Sequence, residues 1–363
     1  MTLLLAFHSQ VPSPELRAAY RQVKPRLGKF MFLAEGDPFN YAFIAGVKAD
    51  CSGIKLVGRL FDRWQTHAMS DPIAAGRGWA DRQYAMQTFR DFIDYPEWLN
   101  EVFGYTNPDR WEWMDIAQEA YVDRWHELDS TKIPIVGNCG SGNLRGRDWV
   151  LYFPRTVKKA RLFGFHGYGF PTISTDAIDQ FLRYREIMGE ICKVNPDALG
   201  VMTEMGITHM IIPGNPDRGY LDFMSPEEFW SGNGNLRWAN DRLVEDREYM
   251  LGGTVFQVGG SSTPPPQPDG WASFECLGTS IIDEMASISP CTLVIEIEEE
   301  LPMSFDFVFG FKELHDANPI TVGEATSAQF DIPGVMSIQF TTRGILVYRD
   351  GAGAKFIQQT LPK

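Results

Sequence analysis

A glutamate ends the run "LGVMTEMG" (199–206), where every neighbour is apolar or neutral. An ionised carboxylate is costly to desolvate inside a strand, so Glu204 is expected at the mouth of a sheet or barrel, where it can act as a nucleophile or as a general acid or base. Other polar groups end similar apolar runs. His8 closes the first, Glu35 and Asp37 the second, and Arg59 and Asp62 the third. Thr106, Asn107 and Asp109 follow "EVFGYTNP", Asn138 and Ser141 follow "IPIVGN", and His166 and Tyr168 lie in "RLFGFHGYG". Gln257 ends the last run, with Trp271 after it. Paired carboxylates with a histidine and a tyrosine are the equipment of general acid–base and nucleophilic catalysis. His8, His166 and His209 show no metal-ligand spacing such as HExxH, so neither metal nor cofactor is expected.

The elements that must position these groups alternate along the chain. Strands are expected at 3–7, 29–38, 54–61, 101–108, 133–138, 161–169, 199–206 and 252–260. Helical patterns intervene at 13–27, 41–50, 79–93, 110–128, 148–160, 177–194, 235–250 and 278–288. Strands alternating with helices pair in parallel, and eight such repeats predict an α/β fold, a closed (β/α)8 barrel, over residues 1–290. An open doubly wound sheet is the runner-up, but no glycine-rich phosphate fingerprint follows the first strand. "SSTPPPQPDG" (261–270) reads as the loop after strand eight. From 291 to 363 the period changes to two, which predicts a small β-sandwich-like appendage whose strand edges could pair with a neighbour in a larger assembly.

Composition sets further bounds. The net charge of −14 and the lack of any basic run exclude a nucleic-acid partner. Five cysteines, none spaced as CxxC, are expected as reduced thiols. No apolar run is long enough to span a membrane. The opening "MTLLLAFHSQVPSPE" reads as a strand without a signal peptide, which fits the cytoplasm or a phage particle.

Over roughly residues 54–275 the chain resembles the retaining glycoside hydrolases built on a (β/α)8 barrel with carboxylates ending strands four and seven, and in particular a bacterial and phage group of them. "LVGRLF" is similar to that group's Gly-Arg strand end, "GNCGSGN" to its strand-five loop, and "FHGYG" to its His-x-Tyr motif. "VMTEMGI" is similar to its Thr-Glu-x-Gly segment, and "LRWANDRLVEDREYMLGGTVFQVGG" to its closing pattern. The resemblance implies Glu204 as nucleophile. It also implies a glycan-binding set of Arg59, Asn107, Asn138, His166, Tyr168, Gln257 and Trp271. Where the group has Gly-Tyr-Asn-Glu-Pro, this chain reads Gly104-Tyr105-Thr106-Asn107-Pro108, so the acid/base position falls on Asn107, an amide. Asp109, Glu35 or Asp37, or the substrate itself, would then have to replace the missing carboxyl. Asn100-Glu101 is read as lying at the start of strand four, at the wrong end of the barrel. Two functions follow: an active retaining glycosidase, or a barrel that no longer cleaves and serves as a carbohydrate-binding or structural component, for instance of a phage particle.

Overall fold

The computed structural model describes residues 2–33, 41–61, 71–101, 108–142, 144–212, 214–215, 217–260, 271–290, 330–332, 336–341, 344–349 and 353–358. The chain divides into two compact units, Met1–Val294 and Ile295–Lys363.

Eight parallel strands of the first unit close into a barrel: β1 (Leu5–Ser9), β2 (Leu27–Leu33), β3 (Lys55–Phe61), β4 (Tyr95–Glu97), β5 (Ile135–Cys139), β6 (Leu162–Gly169), β7 (Leu199–Ile207) and β8 (Met250–Phe256). Each pairs with the next, and β8 returns to β1 with Leu5 opposite Gly253 and His8 opposite Phe256. The strands read as near-continuous apolar runs because both faces are covered, the inner by other strands' side chains and the outer by helices. In β7 every residue after Leu199 is buried.

An amphipathic helix turns its apolar stripe toward the barrel. In α1 (Pro14–Val23) the Ser13 hydroxyl accepts the Leu16 amide at 3.0 Å and Pro14 fills the first turn. Leu16, Ala19, Tyr20 and Val23 recur at helical spacing and turn inward. The expected helix 41–50 forms as Tyr41–Asp50, and that at 110–128 as Pro108–Leu128. The pattern at 79–93 becomes two helices, Pro72–Ala85 and Gln87–Phe92, with Met86 in extended backbone between them. That at 148–160 also splits, into Gly146–Tyr152 and Pro154–Lys159, because Pro154 cannot continue the first.

One strand lies elsewhere than expected. The fourth is Tyr95–Glu97, not 101–108, and residues 102–107 lie outside the described residues. Trp98 donates to the Ile135 carbonyl at 2.9 Å and Glu101 to that of Asn138 at 3.0 Å, so the chain runs on beside β5 past the end of β4. Asn100-Glu101 therefore stands beyond the C-terminal end of strand four, at the same end of the barrel as Glu204, and not at the strand's start.

Cys51, Cys139, Cys192 and Cys276 are unpaired. No helix among the described residues is long and apolar enough to cross a membrane. In the second unit the described residues form a four-stranded antiparallel sheet in chain order, Phe330–Ile332, Met336–Thr341, Gly344–Arg349 and Gly353–Gln358.

Candidate active site

Glu204 lies on β7 opposite His166 of β6, at a register shift between those strands. Its side chain retains 10% of its accessible surface and is ringed by groups from four other strands. Arg59 of β3 donates from Nη1 to Glu204 Oε1 at 2.5 Å and to Asn100 Oδ1 at 2.8 Å. Lys29 of β2 reaches the same Oε1 at 3.3 Å. Tyr168 of β6 donates its hydroxyl to Oε2 at 3.2 Å. His8 Nδ1 and His166 Nδ1 each lie 3.9 Å from the carboxylate.

These neighbours fix charge states. Burial pushes the Glu204 carboxyl up, but His166, Lys29 and Arg59 outweigh it and hold it well below the usual carboxylate range. Burial, reinforced by Lys29, keeps the His8 imidazole neutral, well below its ordinary value. Burial works against the charging of His166, yet Glu204 and Glu101 together raise it. Burial and the adjacent Glu204 raise the Tyr168 phenol, so it stays protonated and can donate.

A second carboxyl group faces Glu204. Glu101 Oε1 lies 2.5 Å from His166 Nδ1, the same nitrogen that lies 3.9 Å from Glu204 Oε2. The two oxygens are thus at most about 6.4 Å apart, the sum of those distances. Paired carboxyl groups act together on a glycosidic bond over such spans, roughly 5–5.5 Å in retaining enzymes and roughly 6.5–9.5 Å in inverting ones. Exposure differs as well: the Glu101 side chain is 41% accessible, against 10% for Glu204. Glu101 and Asn138 both adopt left-handed backbone (φ 44° and 50°) and are joined by the Glu101 amide to Asn138 carbonyl bond. Non-glycine residues held there cluster at functional sites.

Of the residues singled out in the sequence, Arg59, His166, Tyr168 and Glu204 come together, joined by His8. Asn138 does not face the cleft. It is fully buried, accepts from Thr203 Oγ1 at 3.2 Å, and occupies the space that a Cβ on Gly164 would fill. It contributes its backbone carbonyl, which holds Glu101. Gln257 is likewise fully buried and donates to the Trp271 carbonyl at 2.8 Å. It positions Trp271 and is not itself presented to a ligand. The Trp271 ring packs edge-on against Phe256 at 5.6 Å, and Phe256 in turn packs against His8 at 5.1 Å, which ties that tryptophan to the site. Ser141 accepts the Tyr168 amide at 2.9 Å. Trp111, Trp113 and Trp230 belong to the core. Glu35, Asp37, Asp62, Tyr105, Thr106 and Asn107, and the side chain of Asp109, lie outside the described residues.

Sequence reasoning set Glu101 aside and missed Lys29 and Glu97, a fully buried pair joined at 2.9 Å beneath Glu204. The available signals were the Asn-Glu dipeptide and a lysine at the head of an apolar run. Among the described residues, no His, Cys, Asp or Glu cluster is arranged to hold a metal ion.

The fold is thus a (β/α)8 barrel with its polar cluster at the C-terminal ends of the strands, where enzymes of this architecture carry their active sites. No known family is matched by the sequence, and no curated protein matches it. Among solved structures the chain is similar to the GH53 catalytic domain of Ignisphaera aggregans, at 10% identity over 77% of this chain and 91% of that one, with a TM-score of 0.48. It is also similar to a glucosidase from Croceicoccus marinus (11% identity, 96% and 75% covered, TM-score 0.49) and to a monomeric beta-xylosidase from Caulobacter crescentus (10% identity, 95% and 73% covered, TM-score 0.49).

Proposed function

We propose that the protein is a retaining O-glycosidase acting on a glycan, with Glu204 as nucleophile and Glu101 as acid/base. One observation carries this reading: a buried carboxylate surrounded by cations and a solvent-open carboxyl group flank a single imidazole nitrogen, His166 Nδ1. The first is equipped to stay ionised and attack. The second is equipped to exchange protons with solvent, and His166 is close enough to pass one to it.

In the first step Glu204 attacks the anomeric carbon while the bond to the leaving oxygen breaks and that oxygen takes the proton of Glu101. The product is a glycosyl ester of Glu204. In the second step Glu101, now a carboxylate, removes a proton from water. The water oxygen attacks the anomeric carbon and the ester bond breaks, restoring both carboxyl groups and releasing the sugar with its original configuration. Arg59 and Lys29 hold Oε1, leaving Oε2, with Tyr168, as the attacking atom. Trp271 supplies an aromatic wall for the sugar. Asn100-Glu101 then takes the place of the family's Asn-Glu pair, and neither Asp109 nor Glu35 is needed as a substitute acid.

The test is hydrolysis of a panel of aryl α- and β-glycosides, with the first-formed anomer read by proton NMR. Turnover with retained configuration is expected. An inverted product, or no turnover of any member by folded protein, would overturn the proposal.

A further inference from the structure

The charged pair beneath Glu204 neither attacks the sugar nor moves a proton in the two steps above. Lys29 and Glu97 are both fully buried, so neither can touch a substrate. Burying such a pair gains little stability over apolar side chains of the same size. Its placement is specific, however: Lys29 Nζ lies 2.9 Å from Glu97 and 3.3 Å from Glu204 Oε1, one ammonium shared by two carboxylates.

The groups facing Glu204 are His8 from β1, Lys29 from β2, Arg59 from β3, Glu97 and Glu101 from β4 and the residues after it, and His166 and Tyr168 from β6. Glu97 stands level with Arg59 across the β3–β4 pairing. Without Lys29, Arg59 would be the one fixed cation of this set for two buried carboxylates. We propose that Lys29 is a positioning residue for Glu204, holding its carboxylate ionised and oriented from below, and that Glu97 anchors the Lys29 ammonium at that height. The inference rests on Glu204 being the nucleophile.

The test needs no substrate for its first arm. The Glu204 carboxyl is titrated by carbon-13 NMR in protein labelled with [δ-13C]glutamate, its resonance assigned by loss in Glu204→Gln. Lys29→Met leaves Glu97 unpaired and could fail to fold. The double variant Lys29→Met/Glu97→Gln leaves no unpaired charge, and its fold is checked by circular dichroism. In the double variant the Glu204 midpoint should rise by at least about one pH unit, as for a carboxylate that loses an adjacent cation. Glu97→Gln alone should not raise it. The second arm is inactivation by 2,4-dinitrophenyl 2-deoxy-2-fluoro-glycosides of glucose, galactose, mannose and xylose. Its acid limb should move by the same amount, with the maximal rate at neutral pH falling at least about tenfold and the binding constant of the inactivator nearly unchanged. A midpoint that stays put in the folded double variant overturns the proposal. If instead the wild-type protein resists every inactivator, the nucleophile reading falls, and the titration still decides whether Lys29 governs the charge of Glu204.

Discussion

Replacing Glu101 by alanine separates its proposed role from every alternative position for the proton donor. General acid–base assistance is typically worth ~10²–10⁴ in rate, or roughly 3–5 kcal/mol of barrier. That full loss should appear on methyl glycosides and disaccharides, whose leaving oxygens need a proton. A 2,4-dinitrophenyl glycoside needs none, so its first step should proceed within about tenfold of wild type, and the ester on Glu204 should then accumulate because water lacks its base. Azide, which needs no base, should restore turnover and give a glycosyl azide of retained configuration. The substitution also removes the 2.5 Å partner of His166 Nδ1. With the Glu101 side chain 41% accessible, that loss should cost only about 1 kcal/mol of stability, at the low end for an unsatisfied polar group. Parallel measurements on Asn107→Glu should show no gain. An equal fall on both classes of leaving group with no azide product would refute the assignment, and so would an unchanged Glu101→Ala beside an activated Asn107→Glu.

Three further outcomes are expected. Arg59→Met removes the cation that joins Glu204 to Asn100; it should lower stability by about 3–5 kcal/mol, as for one partner of a buried ion pair, and reduce kcat/KM at least a hundredfold, read by thermal unfolding and steady-state kinetics. Gln257→Leu frees the Trp271 carbonyl and should raise KM several-fold with kcat within about twofold, since it loosens a wall and not the reacting groups. Stability should fall as pH drops from 7 to 4. Neutral, buried His8 stabilises the fold above the ordinary imidazole value of 6.5 and ceases to do so below it. The contribution of Glu204 is present above 4.5 and lost as pH falls through its depressed folded value, whereas His166, with its value raised, contributes below 6.5 and loses that contribution as pH rises through its folded value. A Tm–pH profile should therefore flatten below pH 4.5 in Glu204→Gln.

Much of this site was legible because charged residues have no cheap home inside apolar runs. Glu204 stood out on that ground, Arg59, His166 and Tyr168 as polar residues at the ends of apolar runs, and all four meet. Strand four was not legible. It is three residues long, contains Pro96, and is buried on every side chain, so it presents neither a period of two nor an apolar run. The stretch 101–108 has both an apolar start and a turn-like end ahead of a strong helix, and it drew the assignment away. That one shift moved Glu101 to the wrong end of the barrel, while Asn107, set at the acid/base position by the resemblance, lies outside the described residues. Lys29 was missed for a related reason. At the head of "KFMF" it reads as a solvated strand start, but it is the third residue of β2, paired with His8 and Val57 and turned inward on the same side as Met31. Asn138 and Gln257 show the converse. Both lie at strand ends, but the Asn138 side chain accepts from the Thr203 hydroxyl and that of Gln257 donates to the Trp271 carbonyl.

The central claim is that Glu204 becomes covalently bound to sugar. Treating the protein with the dinitrophenyl fluoro-glycoside panel, then digesting it and mapping the adduct by mass spectrometry, tests this directly. A single glycosyl adduct on the peptide containing Glu204, absent from Glu204→Gln, is the predicted result. An adduct on another carboxylate, or none from folded protein with any member of the panel, would contradict it.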